Sequence, residues 1–236
     1  MKFLKTFTAL VFLSALLPGI VSAQLINTVV SITGNIFDAV SREPVSCHLL
    51  ITDEAGKRIT MAKSNAFDDG YYFMTGLKPG QSYFVTVLKK NFFKEKFKIT
   101  VPNTGKYQEI SRDFLIKPKT KGALIPFPVP PFELNKSKLR YGADELIGDF
   151  VSTLKNNPKT NIEIICYPDN NKSASKNKSM TEERCASLKE YFEKNGIASS
   201  RLSFVANSKT DPKDPPPTKT RAKGKRYIGP IYMLVK

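Results

Sequence analysis

The spacing of apolar side chains changes partway along this chain of 236 residues. From residue 28 to residue 117, apolar and polar residues alternate in short runs, which are separated by turn residues such as Asp68-Asp69-Gly70. A period of two is typical of strands that bury one face. From about residue 137 to residue 156 the apolar residues instead recur at steps of three and four, which is typical of an amphipathic helix. The change predicts two domains, an all-β sandwich followed by an α+β domain of element order β-α-β-α-β-β.

The first 23 residues have the composition of a secretory signal peptide. A basic start with Lys2 and Lys5 is followed by an apolar run and then by the small-residue triplet Val21-Ser22-Ala23. A retained membrane anchor is the alternative, but the apolar run is short for a spanning helix, which needs about 20 residues. We therefore expect an exported protein that is cleaved near Ala23.

The chain carries a formal net charge of +16, and most of the excess lies in its second half. From residue 118 to residue 236 there are 22 basic and 12 acidic residues. Such a balance suits a polyanionic partner, and for an exported protein the candidates are the carboxylates of cell-wall stem peptides, teichoic-type polymers and lipid headgroups. We expect no nucleic acid partner, because the chain is exported and lacks a basic helix interleaved with aromatic residues.

The three cysteines and the single histidine, His48, have no metal-ligand spacing and form no nucleophile with a neighbouring base. No serine stands in a Gly-x-Ser-x-Gly turn either. We therefore expect no metal, no cofactor and no catalytic residues. Cys166 ends a predicted strand and Cys185 lies on the following helix, so both side chains are expected in the same layer. A disulfide between them and a pair of buried thiols are both open.

Asp169 and Arg184 are the strongest candidates for a binding site. Asp169 follows the predicted strand of residues 161–167, and Arg184 lies fifteen residues later on a helix. A Ser-x-x-Glu capping box predicts that this helix begins near Ser179 and ends near Asn195. A carboxylate and a guanidinium held close together can grip a zwitterion, the acid taking an ammonium and the arginine a carboxylate. A purely structural salt bridge between the strand end and the helix is the alternative.

A wider sequence pattern surrounds this pair. It consists of Phe132-Glu-Leu-Asn-Lys-Ser-Lys-Leu139, Tyr167-Pro168-Asp169, Asn177, Met180-Thr181 and Arg184-Cys185. This pattern resembles the OmpA-like peptidoglycan-binding domain. The resemblance implies that Asp169 and Arg184 hold the diaminopimelate of a peptidoglycan stem peptide without catalysis, and that Asn177 shapes the same loop. The residues expected to support this site are Thr181, Lys225 and Arg226.

The first half carries four motifs that belong together in a known β-sandwich. They are Gly34-Asn-Ile-Phe-Asp38, Arg42-Glu-Pro-Val45, Asp69-Gly-Tyr-Tyr-Phe73 and Leu77-Lys-Pro-Gly-Gln-Ser-Tyr83. Residues 24–117 thus resemble the carboxypeptidase regulatory-like domain, a transthyretin-like or Ig-like β-sandwich. The resemblance implies a spacer or a docking module for an outer-membrane or envelope protein, without peptidase activity. We expect the aromatic residues Tyr72, Phe73 and Tyr83 in the core between the sheets.

Residues 118–131 are rich in lysine and proline, which predicts a stiff linker between the two domains. The first strand of the second domain, residues 132–236, should lie close to this segment. Prolines such as Pro126 cannot donate ladder hydrogen bonds, so we expect that strand to be irregular, short or at a sheet edge.

Together these features predict a non-catalytic peptidoglycan-binding protein of the Gram-negative periplasm, associated with the outer membrane and the cell wall. It would tether the outer membrane or an envelope assembly to the wall through stem peptides. The alternative is a structural subunit of a secretion or motility complex, in which the OmpA-like domain makes protein contacts and does not bind the wall. A third interpretation is a glycan-binding adhesin that uses residues 24–117.

Overall fold

The structure is a computed structural model, and it describes residues 29–170, 173–217 and 227–236. The expected signal peptide, residues 1–23, lies outside these ranges. Within them the chain is mostly β, with twelve strands and two α-helices. Neither of the two helices is long and apolar enough to cross a membrane.

Eight strands of the first half form one hydrogen-bonded sheet. In chain order they are β1 (Val30–Asp38), β2 (His48–Thr52), β3 (Arg58–Asn65), β4 (Tyr71–Leu77), β5 (Ser82–Leu88), β6 (Glu95–Thr100), β7 (Gln108–Ser111) and β8 (Phe114–Ile116). Their spatial order is β6-β5-β2-β3-β4-β1-β7, and β8 also pairs with β1. Neighbouring strands are antiparallel, except that β1 runs parallel to β7 and to β8.

This sheet folds back on itself at β3. The strand pairs with β2 along most of its length but with β4 only through Ser64 and Asn65. The rings of Phe97 in β6 and Phe114 in β8, which lie towards opposite ends of the strand order, have centroids only 4.7 Å apart. Both ends of the sheet therefore enclose one apolar core.

Two of the three aromatic residues expected in this core are there, and one is not. Tyr72 and Tyr83 are 1% and 2% exposed, and the Tyr72 hydroxyl donates to the backbone oxygen of Arg112 at 2.5 Å. Phe73, by contrast, is 46% exposed, so the expectation for this residue is wrong. Phe73 follows Tyr72 directly in β4, and successive side chains of a strand point to opposite faces. Burial of Tyr72 therefore turns Phe73 outward.

The second half contains a four-stranded sheet and both α-helices. In chain order the elements are β9 (Leu124–Pro126), α1 (Ala143–Asn156), β10 (Ile162–Cys166), α2 (Ala174–Lys194), β11 (Leu202–Ala206) and β12 (Ile231–Val235). The strand order is β11-β10-β12-β9, in which β10 and β11 are parallel and the other pairs are antiparallel. The second core joins apolar side chains of the helices and of the sheet, among them Ile147, Phe150 and Leu154 of α1 and Leu188 and Phe192 of α2.

The proline-rich segment 118–131 contains the first strand of this second sheet. β9 is three residues long, ends at Pro126 and lies at the edge of the sheet. Proline has no backbone N–H to donate, and at a sheet edge this does not interrupt the hydrogen bonds between two strands. The start of the segment is hydrogen-bonded to the first half. The Lys119 N–H donates to the Asn91 oxygen at 2.7 Å, and Pro118 forms an isolated antiparallel β-bridge with Phe92. The expected stiff linker is thus partly a docked segment.

The helix that carries Arg184 begins earlier than its capping box indicates. α2 starts at Ala174, so Ser179 lies within the helix and does not cap it. The Ser179 hydroxyl lies 3.5 Å from a carboxylate oxygen of Glu183, one turn further on. A serine followed by a glutamate three or four residues later fits an exposed helix surface as well as a helix start. The sequence pattern therefore misplaced the first turn.

Candidate functional site

Asp169 and Arg184 form a buried ion pair at the carboxyl end of β10. Arg184 Nη1 lies 2.6 Å from Asp169 Oδ1, and Arg184 Nη2 lies 2.8 Å from Oδ2. Neither side chain has any exposed surface. Two parallel N–H···O bonds between a guanidinium and a carboxylate are a strong and directional arrangement. The fifteen-residue spacing therefore brings these two groups together.

Two backbone amides complete the coordination of the Asp169 carboxylate. The Asn135 N–H donates to Oδ2 at 2.7 Å, and the Gly229 N–H donates to Oδ1 at 2.8 Å. With the two bonds from Arg184, each carboxylate oxygen accepts two hydrogen bonds. The negative charge is thus fully compensated within the protein.

Backbone oxygens of the segment before α1 complete the coordination of Arg184. Its Nε donates to the Lys136 oxygen at 3.0 Å, and Nη2 donates to the Glu133 oxygen at 3.2 Å. The guanidinium carbon also lies 5.1 Å from the centroid of the buried Phe132 ring, within range of a cation–π contact. The segment 132–136 therefore covers the pair.

The sequence predicts an acidic and a basic group that can grip a guest, whereas here the two groups are bonded to each other and covered. The reason is electrostatic: burying one of these charges alone is strongly unfavourable, and pairing them with each other and with backbone dipoles removes that penalty. Both interpretations, a ligand site and a structural salt bridge, bring the two side chains together at this place. Spacing along the sequence cannot distinguish the two cases, because the covering groups come from residues 132–136 and from Gly229.

Asn135 and Gly229 belong to this site, and neither was singled out from the sequence. Asn135 has a φ of +59°, in the left-handed region that asparagine tolerates better than most residues. A Cβ on Gly229 would lie 2.1 Å from the backbone oxygen of Tyr167, so only glycine allows this close approach. The asparagine within Phe132–Leu139 and the glycine before Pro230 were visible signals.

Asn177 and Thr181, expected at the same site, hold the loop that follows β11. Asn177 Nδ2 donates to the Ser208 oxygen at 3.0 Å, and the Thr181 hydroxyl lies 2.8 Å from the Asn207 oxygen. Both side chains are buried, and Asn177 Oδ1 has no hydrogen-bond partner among the described residues. These residues therefore shape the loop, and among the described hydrogen bonds none joins their side chains to the ion pair. The other two supporting candidates, Lys225 and Arg226, lie outside the described residues.

Two open clefts border the segment that covers the pair. One, of about 290 Å³, lies along the first turns of α2 and is lined by Asn135, Ser137, Lys176, Asn177, Met180 and Glu183. The other, of about 330 Å³, is lined by Phe132, Glu133, Leu134, Lys136, Arg140 and Ile228. The segment 132–136 therefore contributes residues to both clefts as well as to the cover of the ion pair.

A second buried carboxylate, Asp211, is bonded to β12, the strand that follows Gly229. The Tyr232 hydroxyl donates to Asp211 Oδ2 at 2.6 Å, and the Lys213 N–H donates to Oδ1 at 2.9 Å. Burial and the hydrogen bond to Asp211 raise the pKa of Tyr232 above its ordinary value. The contact fixes the loop after β11 to β12.

The cysteines are free thiols in this structure, and all three are buried. The pKa of Cys166 lies well above its ordinary value, mainly because of a hydrogen bond with the Cys185 thiol and secondly because the thiol is buried. No disulfide joins Cys166 to Cys185 in this structure. Among the described residues, no group of three His, Cys, Asp or Glu side chains is arranged to hold a metal ion.

A comparison with protein families identifies the second half. Residues 131–226 match the model of the OmpA family, a range that contains the ion pair, both helices and β10 and β11. This chain therefore contains an OmpA-like domain at residues 131–226. The strand-rich first half is consistent with a β-sandwich that precedes it.

Solved structures and curated proteins give more distant similarities. A MotB-like protein from Desulfovibrio vulgaris is 20% identical, with a TM-score of 0.39, over 48% of this chain and 73% of that chain. The peptidoglycan-associated lipoprotein from Burkholderia pseudomallei is 11% identical, with a TM-score of 0.36, over 44% of this chain and 86% of that chain. The photosystem I P700 chlorophyll a apoprotein A2 of Gloeobacter violaceus is 28% identical over 104 residues, which are 44% of this chain. This chain spans only 12% of that protein's length.

Proposed function

We propose that this protein is a non-catalytic, peptidoglycan-binding envelope protein of the Gram-negative periplasm. Its OmpA-like domain binds the diaminopimelate of stem peptides at Asp169 and Arg184, and tethers the outer membrane or an envelope assembly to the wall. The observation that carries the proposal is the convergence of these two side chains inside an OmpA-family domain, between two clefts. The excess of basic residues from 118 to 236 favours approach to an anionic wall.

A zwitterionic guest suits this ion pair better than a singly charged one. Each buried charge is compensated by the other, and a guest that replaced only one of them would leave its partner unpaired. A guest with an ammonium and a carboxylate on one carbon compensates both, its ammonium on Asp169 and its carboxylate on Arg184. The free end of diaminopimelate carries these two groups.

Binding requires the segment 133–136 to move. Three of its backbone groups contact the pair: the N–H of Asn135 and the oxygens of Glu133 and Lys136. The side chains of Glu133 and Lys136 are paired with each other and largely exposed. Because the polar groups of a guest can take over the backbone contacts, the segment can exchange them for a ligand without leaving the pair uncompensated.

A single stem peptide is expected to bind weakly, with a Kd on the order of micromolar to millimolar, because only a few charge-assisted bonds are exchanged. Peptidoglycan repeats the same ligand many times. We propose that residues 24–117, the carboxypeptidase regulatory-like sandwich, attach the protein to an outer-membrane or envelope partner. This attachment raises the effective concentration of the binding domain at the wall, so that weak single contacts give durable tethering.

Sedimentation with purified sacculi tests the proposal. We expect the wild-type chain to sediment, and free meso-diaminopimelate to release it. Asp169→Asn removes the negative charge that receives the ammonium, and should reduce the sedimented fraction at least about tenfold. Asp211→Asn is the matched control, because it neutralises another buried carboxylate of the same domain outside the ion pair. If both variants fold and sediment alike, the pair is not the binding site.

The full burial of the ion pair favours a second candidate function. In this alternative the OmpA-like domain is a structural part of a secretion or motility complex, and Asp169 and Arg184 only hold the domain together. A folded wild-type chain would then fail to sediment with sacculi at an ionic strength that screens the attraction between the basic chain and the wall. Wild-type sedimentation that diaminopimelate does not release would also favour this alternative, because charge alone attracts a basic chain to the wall.

A further inference from the structure

Two neighbouring aromatic residues, Phe92 and Phe93, belong to different cores. Phe92 packs against the core of the first half. Phe93 has no exposed surface and belongs to the core of the second half, whose other members come from residues beyond 122. The two cores are thus adjacent at the peptide bond between Phe92 and Phe93, and the first half supplies a core residue to the OmpA-like domain.

The residue after Phe93 is clamped by a side chain at the end of α1. The Lys94 N–H donates to Asn157 Oδ1, and Asn157 Nδ2 donates to the Lys94 oxygen, both at 3.0 Å. Asn157 is itself buried, and its Nδ2 also donates to the Thr153 oxygen at 2.8 Å. A side chain that satisfies both backbone groups of one residue takes the role of a neighbouring strand.

An ion cluster of the buried Glu95 and Lys117 with the half-exposed Asp149 follows directly on the clamp. Lys117 Nζ lies 2.5 Å from Glu95 Oε1 and 2.6 Å from Asp149 Oδ2 of α1, and the Lys117 N–H donates to Glu95 Oε2 at 2.9 Å. Glu95 also accepts the hydroxyl of Thr153 at 3.3 Å. Burial alone would lower the pKa of Lys117, but the two carboxylates hold it above its ordinary value. The positive charge of Lys117 is therefore compensated from both halves of the chain.

From these contacts we infer that the two halves form one cooperative unit with a fixed orientation, and that residues 93–95 are part of the OmpA-like domain. An OmpA-like domain cut at residue 131 lacks the Phe93 ring and leaves a cavity of phenylalanine size in its core. It also leaves Asp149 and Asn157 without their partners. The inference does not depend on peptidoglycan binding, because it concerns how the domain is completed.

The three buried cysteines report on each half separately. Cys47 lies in the first core, and Cys166 and Cys185 lie in the second. The full chain is treated with a thiol reagent in low concentrations of urea, and the rate at which each cysteine is labelled is measured. The labelled positions are identified by peptide mass. A cysteine buried in the core is labelled only when the region around it opens.

Asn157→Ala is the decisive variant, because it lies in the second half and removes both bonds to Lys94 while keeping the cores intact. One cooperative unit predicts that this change raises the labelling rate of Cys47, in the other half, about tenfold, by the same factor as that of Cys185. An unchanged rate at Cys47, with Cys185 accelerated, would overturn the inference.

Phe93→Ala and Phe92→Ala are a matched pair of neighbouring truncations. We expect Phe93→Ala to raise the labelling rates of Cys166 and Cys185 on the order of 100-fold. In one cooperative unit, each of the two variants raises the labelling rates of all three cysteines by a common factor. If Phe92→Ala accelerates only Cys47, and Phe93→Ala only the other two, the halves open independently and the inference is wrong. If Phe93→Ala does not fold, Asn157→Ala still decides between the two outcomes.

Discussion

Arg184 binds Asp169 through two parallel hydrogen bonds of 2.6 and 2.8 Å, and neither side chain reaches the solvent. The pair joins the end of β10 to α2, and the segment 132–136 and Gly229 are built around it. In this OmpA-like domain the same two residues are thus part of the folded core and the proposed ligand site. The first prediction separates the two roles.

Replacing Arg184 by alanine should lower the free energy of unfolding by about 3 to 5 kcal/mol, because it leaves the Asp169 carboxylate buried without its partner. Urea denaturation of wild type and variant, with the transition midpoints and slopes compared, measures the difference. A loss below about 1 kcal/mol would show that the carboxylate is solvated in solution, and hence that the pair is more open than in this structure.

Gly229→Ala should destabilise the OmpA-like domain by at least about 2 kcal/mol, because the new Cβ would overlap the backbone oxygen of Tyr167. Gly148→Ala is the matched control. Gly148 lies inside α1 with nothing within 4 Å of the added carbon, so alanine there should stabilise the chain by up to about 1 kcal/mol. Thermal unfolding of both variants tests this, and equal effects at the two positions would contradict the account.

The stability of the chain should fall as the pH rises above about 10. The pKa of Tyr232 is raised in the folded state, so the folded chain keeps a phenol proton that the unfolded chain releases near its ordinary pKa of about 10. The contribution of the protonated Tyr232 hydroxyl to the free energy of unfolding is therefore complete below that pH and is lost as the pH rises above it. Tyr232→Phe should reduce the loss in unfolding free energy between pH 9 and pH 11, measured by urea denaturation. Identical losses in the variant and the wild type would show that this hydroxyl does not take part.

Tyr72 and Phe73, which are adjacent in β4, should respond differently to truncation. Tyr72→Ala should lower the unfolding free energy by about 3 to 5 kcal/mol, because the ring fills the first core. Phe73→Thr should change it by less than about 0.5 kcal/mol, since that ring lies on the outer face. A large loss for Phe73→Thr would place the ring in an interface or in the core after all.

The local periods of the sequence predicted much of this fold. The three- and four-residue spacing of Ile147, Phe150 and Leu154 corresponds to the buried face of α1. The fifteen-residue spacing brought Asp169 to Arg184, because a strand end and the helix that follows it are fixed in relative position by the shared core.

What the sequence could not provide is the set of partners that come from distant segments. The amides that hold Asp169 belong to Asn135 and Gly229, 34 and 60 residues away along the chain, and the residue types at these two positions do not indicate which carboxylate their N–H groups contact. The assignment of Phe92 and Phe93 to different cores is equally invisible, because both are large and apolar and only the packing of the two halves separates them.

The proposed wall binding can be tested most directly by titrating the isotope-labelled chain with meso-diaminopimelate and following its amide resonances by NMR. The N–H groups of Asn135 and Gly229 donate to Asp169 and should shift in a saturable manner as a guest enters. Cadaverine, which has the same carbon chain and ammonium groups without the two carboxylates, should leave them in place because it offers nothing to Arg184. If diaminopimelate at about 10 mM, well above the weak affinity expected for a single ligand, shifts neither resonance, the ion pair is a structural element and not a ligand site.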